Sequence, residues 1–407
     1  MKDIFRWTED TTTLDFAAGA ITGMRQSAIT RKLARVWTPA GVVSVGTVGD
    51  TADEELWHRC EQNSVAAMPA NAPAPAPTQS ARFEAPKKSP GDLEKALGEL
   101  LAEIRRDLPD FIPQGKFAYG SFEREYRSRS AVLSSRQTLL DGYFYLKHRS
   151  SSNIIDHIMG AQSDDVAALA QIVSPQLAWM QAWERRSQLP AGRYPVCMAS
   201  DVGEMFGKLS HSLNPEVYHS GAGLFSGMAG KSLFHPQLTI RDLARDAAQG
   251  KWRPFDDEGT ERGEAHDVVK AGVFTGPLYD LRTAHKFGAR STGHSVRTPQ
   301  GGASVASGGL TLAPGPRGLE EMLAQHADSV LVLVAGGGDT TADGEFSMPT
   351  QVAFHLRAGK VVGQLPSLTI RGNLRDYLGN DFLGVAREPL APGLCPPLMA
   401  TMEVILN

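Results

Sequence analysis

Two stretches decide the fold of this chain: Ala284-His-Lys-Phe-Gly-Ala-Arg-Ser-Thr-Gly293 and Leu368-Thr-Ile-Arg-Gly-Asn-Leu-Arg-Asp-Tyr377. Asp257-Glu-Gly-Thr-Glu261 precedes them, and Asp343-Gly-Glu-Phe-Ser347 lies between them. Phe354–Val362, which follows that element, has the pattern of a strand, a turn and a second strand. One short motif carries a high risk of a chance match, whereas several motifs in a fixed order are specific.

In order and spacing, these elements resemble the signature of the TldD/PmbA metallopeptidase family, and the resemblance covers most of the chain. It implies an α+β fold with two domains. The first is expected to be an α/β sandwich-like domain over residues 1–190. The second is expected to be β-rich, with a barrel-like antiparallel sheet, over residues 191–407, because the sequence after Tyr194 becomes glycine-rich with short strand patterns.

The resemblance also implies where a metal site should be. Active members, of the TldD type, carry His-Glu-x-x-x-His on a helix, in which two histidines bind zinc and the glutamate activates water. An ungapped alignment from Tyr194 places Lys208, Leu209 and Leu213 where histidine, glutamate and histidine are expected. Lysine is a poor zinc ligand at neutral pH, and leucine has no ligand atom. We therefore predict no metal ligand and no catalytic residue at these positions.

Three other residues are weak candidates for metal ligands. His211 and His219 are near the expected helix, but they are eight residues apart and have no acidic partner between them. Cys395 resembles the family's C-terminal cysteine ligand. We expect two surface or hydrogen-bonded histidines and a packed thiol. The chain's three cysteines are odd in number and widely separated, which indicates neither a disulfide framework nor a paired-cysteine zinc site.

Keeping the scaffold without the metal helix is the pattern of the TldE (PmbA) type, the inactive partner of a TldD-type subunit. The resemblance therefore implies a heterodimer in which the partner holds zinc, this chain needs no cofactor, and unfolded or precursor peptides are the substrates. We expect the peptide to bind by strand addition. The candidate lining residues are Ser291, Thr292 and Gly293 in one loop and Glu345, Phe346 and Ser347 in another.

Two alternatives stay open at this point. The chain could be a metalloenzyme with an atypical site that uses His211, His219 or Cys395. It could also be a peptide-binding module that takes no part in proteolysis.

Local patterns predict several elements of the N-terminal half. Residues 33–47 indicate a hairpin with a Pro-Ala-Gly turn. Residues 64–90 are rich in alanine and proline, which predicts a flexible insertion. Leucines and isoleucine spaced by threes and fours predict an amphipathic helix over 91–108. A further helix should begin near Asp164 and break or kink at Pro175.

Charge and hydropathy exclude some partners. The net charge of −4 and the pI near 6.3 give no general attraction to nucleic acid. A cluster of arginines alternates with Glu123, Glu125 and Tyr126, so we expect a solvated strand face rather than a nucleic-acid patch. Its members are Arg124, Arg127, Arg129 and Arg136. No apolar run is long enough to span a membrane. The N-terminus mixes both charge signs and lacks the layout of a secretory signal, so the expected location is the cytoplasm.

Overall fold

The computed structural model describes residues 1–39, 41–63, 80–85, 92–198, 202–246, 250–297, 303–336, 338–390 and 395–406. Over these ranges the chain is a strand-rich α+β protein built on two large sheets, as the sequence predicts. No helix in this part of the chain is both long enough and apolar enough to cross a membrane.

The N-terminal half forms one seven-stranded sheet with helices packed on it. Its elements are β1 (Lys2–Ala17), β2 (Ala20–Thr38), β3 (Gly41–Val48), α1 (Asp53–Gln62), β4 (Ala81–Glu84), α2 (Leu93–Asp107), β5 (Phe111–Ser128), β6 (Val132–His148), β7 (His157–Ser163), a 3-10 turn (Val166–Ala168) and α3 (Leu169–Met180). The order is β3-β2-β1-β5-β6, and both β4 and β7 pair with β6. Antiparallel pairing of β2 with β3 confirms the predicted hairpin.

Helix α2 confirms the prediction over residues 91–108. Asp92 caps its first turn, because its side chain accepts a hydrogen bond of 2.9 Å from the backbone N–H of Lys95. One face is buried in the same apolar core as Phe117 and Phe144 of the sheet. The buried residues of that face are Leu93, Leu97, Leu100, Leu101 and Ile104.

Part of the segment expected to be a flexible insertion is a strand. β4 pairs in parallel with Leu133–Arg136 of β6. The ring of Phe83 packs against Phe255, with 6.0 Å between the ring centroids. Flexibility is therefore wrong for residues 81–84, because backbone pairing and one aromatic side chain hold them in place. Residues 64–79 and 86–90 lie outside the described residues.

Helix α3 differs from its prediction at its start and at Pro175. Its lead-in is the 3-10 turn, which Asp165 caps through a 2.9 Å hydrogen bond from the N–H of Ala167. The helix then continues through Pro175 to Met180 without a break. Ile172 and Val173 are fully buried, and burial of such side chains stabilises the helix by about 1.5–3 kcal/mol each, which offsets the cost of about 3 kcal/mol for one proline.

The C-terminal half is organised around a closed five-stranded barrel. Its elements are β8 (Gly192–Met198), α4 (Val202–Ser212), α5 (Pro215–Ser220), β9 (Ile240–Leu243), β10 (Arg245–Asp246), β11 (Lys251–Trp252), β12 (Ala265–Lys270), β13 (Val273–Phe274), α6 (Leu281–Phe287), β14 (Ser295–Arg297), β15 (Ala303–Val305), β16 (Leu310–Leu312), α7 (Leu319–Ala324), β17 (Asp328–Ala335), β18 (Asp339–Thr340), β19 (Glu345–Arg357), β20 (Lys360–Gln364), β21 (Leu368–Asn373), α8 (Leu374–Tyr377), β22 (Phe382–Val385) and β23 (Leu398–Leu406).

The barrel closes because β17 pairs on both sides. The strands follow the order β17-β8-β23-β21-β19, and β17 also pairs with β19. All neighbours are antiparallel except β8 and β17. The predicted barrel-like sheet is confirmed, with one parallel pair that the sequence does not reveal.

Tight turns of the same type join several antiparallel strands. Ala18 and Gly19, between β1 and β2, have φ values of 52° and 81°. Ala358 and Gly359, between β19 and β20, have φ values of 47° and 79°. Two consecutive positive φ values are characteristic of a type I′ turn, whose twist matches that of the strands it joins. The strand, turn and strand predicted over 354–362 are therefore confirmed.

One apolar core joins the two halves of the chain. It contains Leu100 and Phe144 from the N-terminal half together with Leu331, Phe354 and Met399 from the barrel strands. The boundary predicted at residue 190 stays a prediction, since packed side chains are continuous across it.

Candidate functional site

Helix α4 and the residue that follows it carry the three positions where the resemblance predicts a metal motif. Leu209 is fully buried and Leu213, just after the helix, is 2% exposed. Both lie in the apolar core of the C-terminal half, which also contains Val196 and Phe225. Lys208 is half-buried. The side chains at these positions do not fit a zinc ion, because the two leucines offer only carbon atoms.

The two nearby histidines lie at the surface. His211 is exposed in the last turn of α4. His219, at the end of α5, stacks on Phe287 with 3.9 Å between ring centroids and an interplanar angle of 14°. Its Nε2 lies 3.0 Å from the hydroxyl oxygen of Tyr279. These contacts give His219 a packing role between α5 and α6.

Cys395 is half-buried and hydrogen-bonded. Its sulfur accepts hydrogen bonds from the N–H of Leu312 at 3.4 Å and from the hydroxyl of Thr311 at 3.8 Å. Burial raises the pKa of this thiol, so the neutral form is favoured over the thiolate that binds metals. The expectation of a packed thiol agrees with these contacts.

A group of side chains that are close enough to share a metal ion lies elsewhere in the described part of the chain. Asp110, His148 and Glu184 offer ligand atoms within 4.8 Å of one another. Both carboxylates are exposed, and His148 stacks on Trp183. None of His211, His219 and Cys395 belongs to it. Exposed acidic groups of this kind are common without a bound ion.

The loop of Ser291, Thr292 and Gly293 uses its polar groups internally. The hydroxyl of Thr292 accepts a 2.7 Å hydrogen bond from the N–H of Tyr279, and the N–H of Thr292 donates to the carbonyl of Tyr279 at 3.0 Å. Gly293 has a φ of 74°, and a Cβ there would come within 2.7 Å of Arg262. These bonds shape the turn after α6, and the role of the loop in peptide binding stays a prediction.

Glu345, Phe346 and Ser347 begin β19, which has neighbours on both sides there. β18 pairs with Phe346 and Ser347, and β21 pairs with all three. Phe346 is buried, whereas Glu345 is exposed and accepts a 2.9 Å hydrogen bond from the side chain of Asn373. Strand addition at these residues is blocked by the existing strands, so any contact with a peptide would have to use side chains.

A buried ionic network connects the N-terminal sheet to the C-terminal half. Arg35 of β2 donates to Glu258 at 2.5 Å and to both carboxylate oxygens of Asp3 at 2.6 and 3.1 Å. Arg297 of β14 also donates to Asp3, at 2.8 Å. Burial acts to raise the pKa of Asp3, but Arg297 and Arg35 outweigh it and hold that pKa below its usual value. The carboxylate is therefore ionised where it lies.

Arg124 corrects one prediction about the arginine-rich strand. Only 11% of its side chain is exposed, and it forms an ion pair with Asp257, whereas the side chains of Arg127 and Arg136 are 44% and 54% exposed and pair with acidic residues. The solvated strand face therefore holds for the last two and is wrong for Arg124. Neighbouring Asp256 accepts hydrogen bonds from three backbone N–H groups. Burial and the Glu258 carboxylate nevertheless raise the pKa of Asp256 to about 7.

Comparison with known protein families shows which family this chain belongs to. A sequence model of the PmbA/TldA metallopeptidase C-terminal domain matches residues 191–400, more than half of the chain. The chain belongs to the TldD/PmbA metallopeptidase family. Its α4 is thus in the half of the molecule that the family model covers.

TldD/PmbA relatives are similar over part of their length. The metalloprotease PmbA of Escherichia coli O157:H7 is 28% identical over 280 residues, which are 64% of this chain and 58% of that protein. A metalloprotease of Archaeoglobus fulgidus is 27% identical over 214 residues, which are 51% of this chain and 48% of that protein. The matches thus span about half the length of these curated relatives. TldE from Thermococcus kodakarensis shares the fold, with a TM-score of 0.85 and 16% identity over 100% of this chain and 96% of that chain.

The ionic network is the part of this TldD/PmbA chain that sequence reasoning missed. Asp257 and Glu258 belong to a recognised motif, but their partners Arg35 and Arg124 lie far away along the chain. A signal existed in Leu33-Ala-Arg-Val-Trp37, where one charged residue interrupts an apolar run. A charge in such a run indicates a buried partner, because an unpaired buried charge is too costly.

Proposed function

We propose that this chain is the non-catalytic, TldE-like subunit of a heterodimeric zinc metallopeptidase of the TldD/TldE type. The observation that carries the proposal is the burial of Leu209 and Leu213 at the positions where an active member has glutamate and the second histidine. A glutamate there would have to ionise inside an apolar core. Burying a carboxylate in such surroundings is strongly unfavourable.

The other candidate ligands support the same conclusion. His219 is stacked on Phe287, and the Cys395 thiol is held neutral by burial. We place zinc on a TldD-type partner, where it supplies water-activating chemistry when bound. The complex would act on unfolded or precursor peptides in the cytoplasm.

This chain's own part in the complex would be to hold the extended peptide. Among the described residues, β3 covers only Arg31–Thr38 of β2, so the outer edge of β2 from Ala20 to Ile29 has no neighbouring strand. The exposed edge of a long strand offers backbone N–H and C=O groups to an added strand. Binding through the backbone places little demand on the peptide sequence.

Reconstitution with a TldD-type subunit tests this proposal. We expect an unstructured peptide to be cleaved by the mixture and by neither chain alone. Replacing the motif glutamate of the partner with glutamine should abolish cleavage, whereas His211→Ala, His219→Ala and Cys395→Ala in this chain should each leave it within twofold. Cleavage by the isolated chain that a chelator abolishes would instead establish an atypical metalloenzyme. Undiminished peptide binding without any cleavage by the mixture would favour a binding module.

A further inference from the structure

A cavity of about 720 Å³ lies between the N-terminal sheet and β11 and β14. Pockets that enclose small ligands usually measure about 300–1,000 Å³. The cavity contains none of the residues discussed above as metal or loop candidates. Its apolar walls are Phe5, Trp7, Leu33, Phe122, Leu139, Leu243, Trp252 and Val296. Trp7 and Val48 in the lining are exposed, so the cavity borders solvent on their side.

The lining of this cavity is strongly basic. Five of its residues are basic, whereas Asp257 is its one acidic residue. Three of the five have ion-pair partners: Arg31 pairs with Glu9, Arg124 with Asp257 and Arg297 with Asp3. The remaining two are Lys251 and Arg253.

Lys251 and Arg253 form no ion pair within the described part of the chain. The ammonium group of Lys251 donates only to the side-chain oxygen of Gln162, at 3.3 Å. Burial lowers the pKa of Lys251, although attraction from the carboxylates of Asp141 and Asp242 acts in the opposite direction. Two cations that form no salt bridge beside an apolar cavity make the cavity attractive to an anion.

Unsatisfied polar atoms in the lining specify the anion further. Trp252 Nε1 and Arg297 Nε are buried donors without a hydrogen-bond partner among the described residues. Gln137 Oε1 is a buried acceptor that also has no hydrogen-bond partner among the described residues. The side chain of Arg297 is completely enclosed. Buried polar groups are satisfied in most native structures, so a small rotation of these side chains toward the cavity would satisfy them with a ligand that has both acceptors and a donor.

We propose that this cavity binds the C-terminal end of a peptide whose last residue is apolar or aromatic. The terminal carboxylate pairs with Arg253 and Lys251, and its oxygens accept from the free donors of the lining. The peptide N–H donates to Gln137, and the last side chain packs among the aromatic walls. The inference rests on the proposed function, in that it takes peptides as the ligands of this chain.

Calorimetric titration of the 407-residue chain tests the inference. The probes are an unstructured pentapeptide that ends in phenylalanine with a free carboxylate and the same peptide with a C-terminal amide. We expect the acid to bind at least about tenfold more tightly, because a charge-assisted hydrogen bond is about twice as strong as a neutral one. Arg253→Gln should remove this preference, whereas Arg149→Gln, which changes an exposed arginine outside the cavity, should retain it.

Several results would overturn the inference. Equal binding of acid and amide would refute the carboxylate site and leave the proposed peptide-handling function standing. Failure of both peptides to bind would refute the site, and the reconstituted cleavage assay would then decide on the function separately. Binding of 3-phenylpropionate as tight as that of the peptide acid would assign the cavity to free organic carboxylates. If Arg253→Gln does not fold, Lys251→Met provides the same comparison.

Discussion

At the scale of single residues, burial determines what α4 can do chemically. Leu209 and Leu213 face the core that also holds Val196 and Phe225. A zinc-binding motif would require polar side chains at those two positions without any loss of the packing of the helix. The two leucines therefore stabilise the scaffold by the same contacts that leave no room for ligands.

A substitution at Leu209 tests this view. Leu209→Glu should lower the free energy of unfolding by at least about 3 kcal/mol, because it buries a carboxylate without a partner. Leu209→Met, which keeps the volume and the apolar character, should cost less than about 1.5 kcal/mol. Urea denaturation of the two variants measures the difference. Unchanged stability of the glutamate variant, with zinc bound once Lys208→His and Leu213→His are added, would contradict the burial argument.

Asp256 should make stability depend on pH in an unusual direction. Its folded pKa of about 7 lies above the ordinary value of 3.8 for an aspartate, so between these values the folded state keeps a proton that the unfolded state has lost. Its contribution to stability is therefore present at low pH and declines as pH rises to about 7, by up to about 1.4 kcal/mol per pH unit.

The variant Asp256→Asn isolates this effect, because asparagine does not titrate. We expect the stability of the wild type to fall relative to the variant between about pH 5 and pH 7, as measured by chemical denaturation at several pH values. The comparison also removes the opposite contribution of His157, whose pKa burial lowers to about 4. A constant difference between the two proteins across this range would show that Asp256 is ionised in the folded state.

The sequence could predict which side chains occupy the expected ligand positions, but it could not predict which residues pair in the ionic network. The expected ligand positions follow from a local register, so Lys208, Leu209 and Leu213 could be identified directly. Arg35 and Glu258 are separated by 223 positions along the chain. Only the packing of the N-terminal sheet against the C-terminal half brings such charges together, and no local pattern records it.

At the scale of elements, periodic patterns predict structure well and composition predicts it less well. The spacing of apolar residues predicted α2 correctly. The Ala-Gly sequences form turns that join neighbouring antiparallel strands. The alanine- and proline-rich composition of residues 64–90 concealed β4. Pro175 predicts a break or a kink, whereas the burial of α3 keeps that helix continuous.

The anchoring of β4 can be tested at Phe83. Phe83→Ala should lower the free energy of unfolding by about 1–3 kcal/mol, because the half-buried ring loses its contact with Phe255. Arg82→Ala, at an exposed neighbouring position, should change it by less than about 0.5 kcal/mol. Thermal unfolding compares the two variants. Equal effects would mean that backbone pairing alone holds the strand.

At the scale of the whole molecule, a shared core and a buried ionic network tie the two halves together. Leu100 and Phe144 belong to the same cluster as Phe354 and Met399. Asp3 and Arg35 of the sheet bind Arg297 and Glu258 across the same division. The two halves should therefore depend on each other for stability.

Calorimetry can test this dependence. We expect one thermal transition whose calorimetric and van't Hoff enthalpies agree, and we expect Phe354→Ala to lower its midpoint without splitting it. Two resolved transitions, only one of which moves in Phe354→Ala, would show that residues 1–190 and 191–407 unfold independently. That result would support the boundary predicted from the sequence.

The zinc content of the purified chain, alone and in complex with a TldD-type subunit, tests the central claim most directly. After exposure to zinc and dialysis, the isolated chain should retain no stoichiometric metal by mass spectrometry. The complex should retain one ion, which is lost when the partner's motif histidines are replaced. One tightly held zinc ion on the isolated chain, removed by Cys395→Ala or His211→Ala, would contradict the assignment of this chain as the non-catalytic subunit.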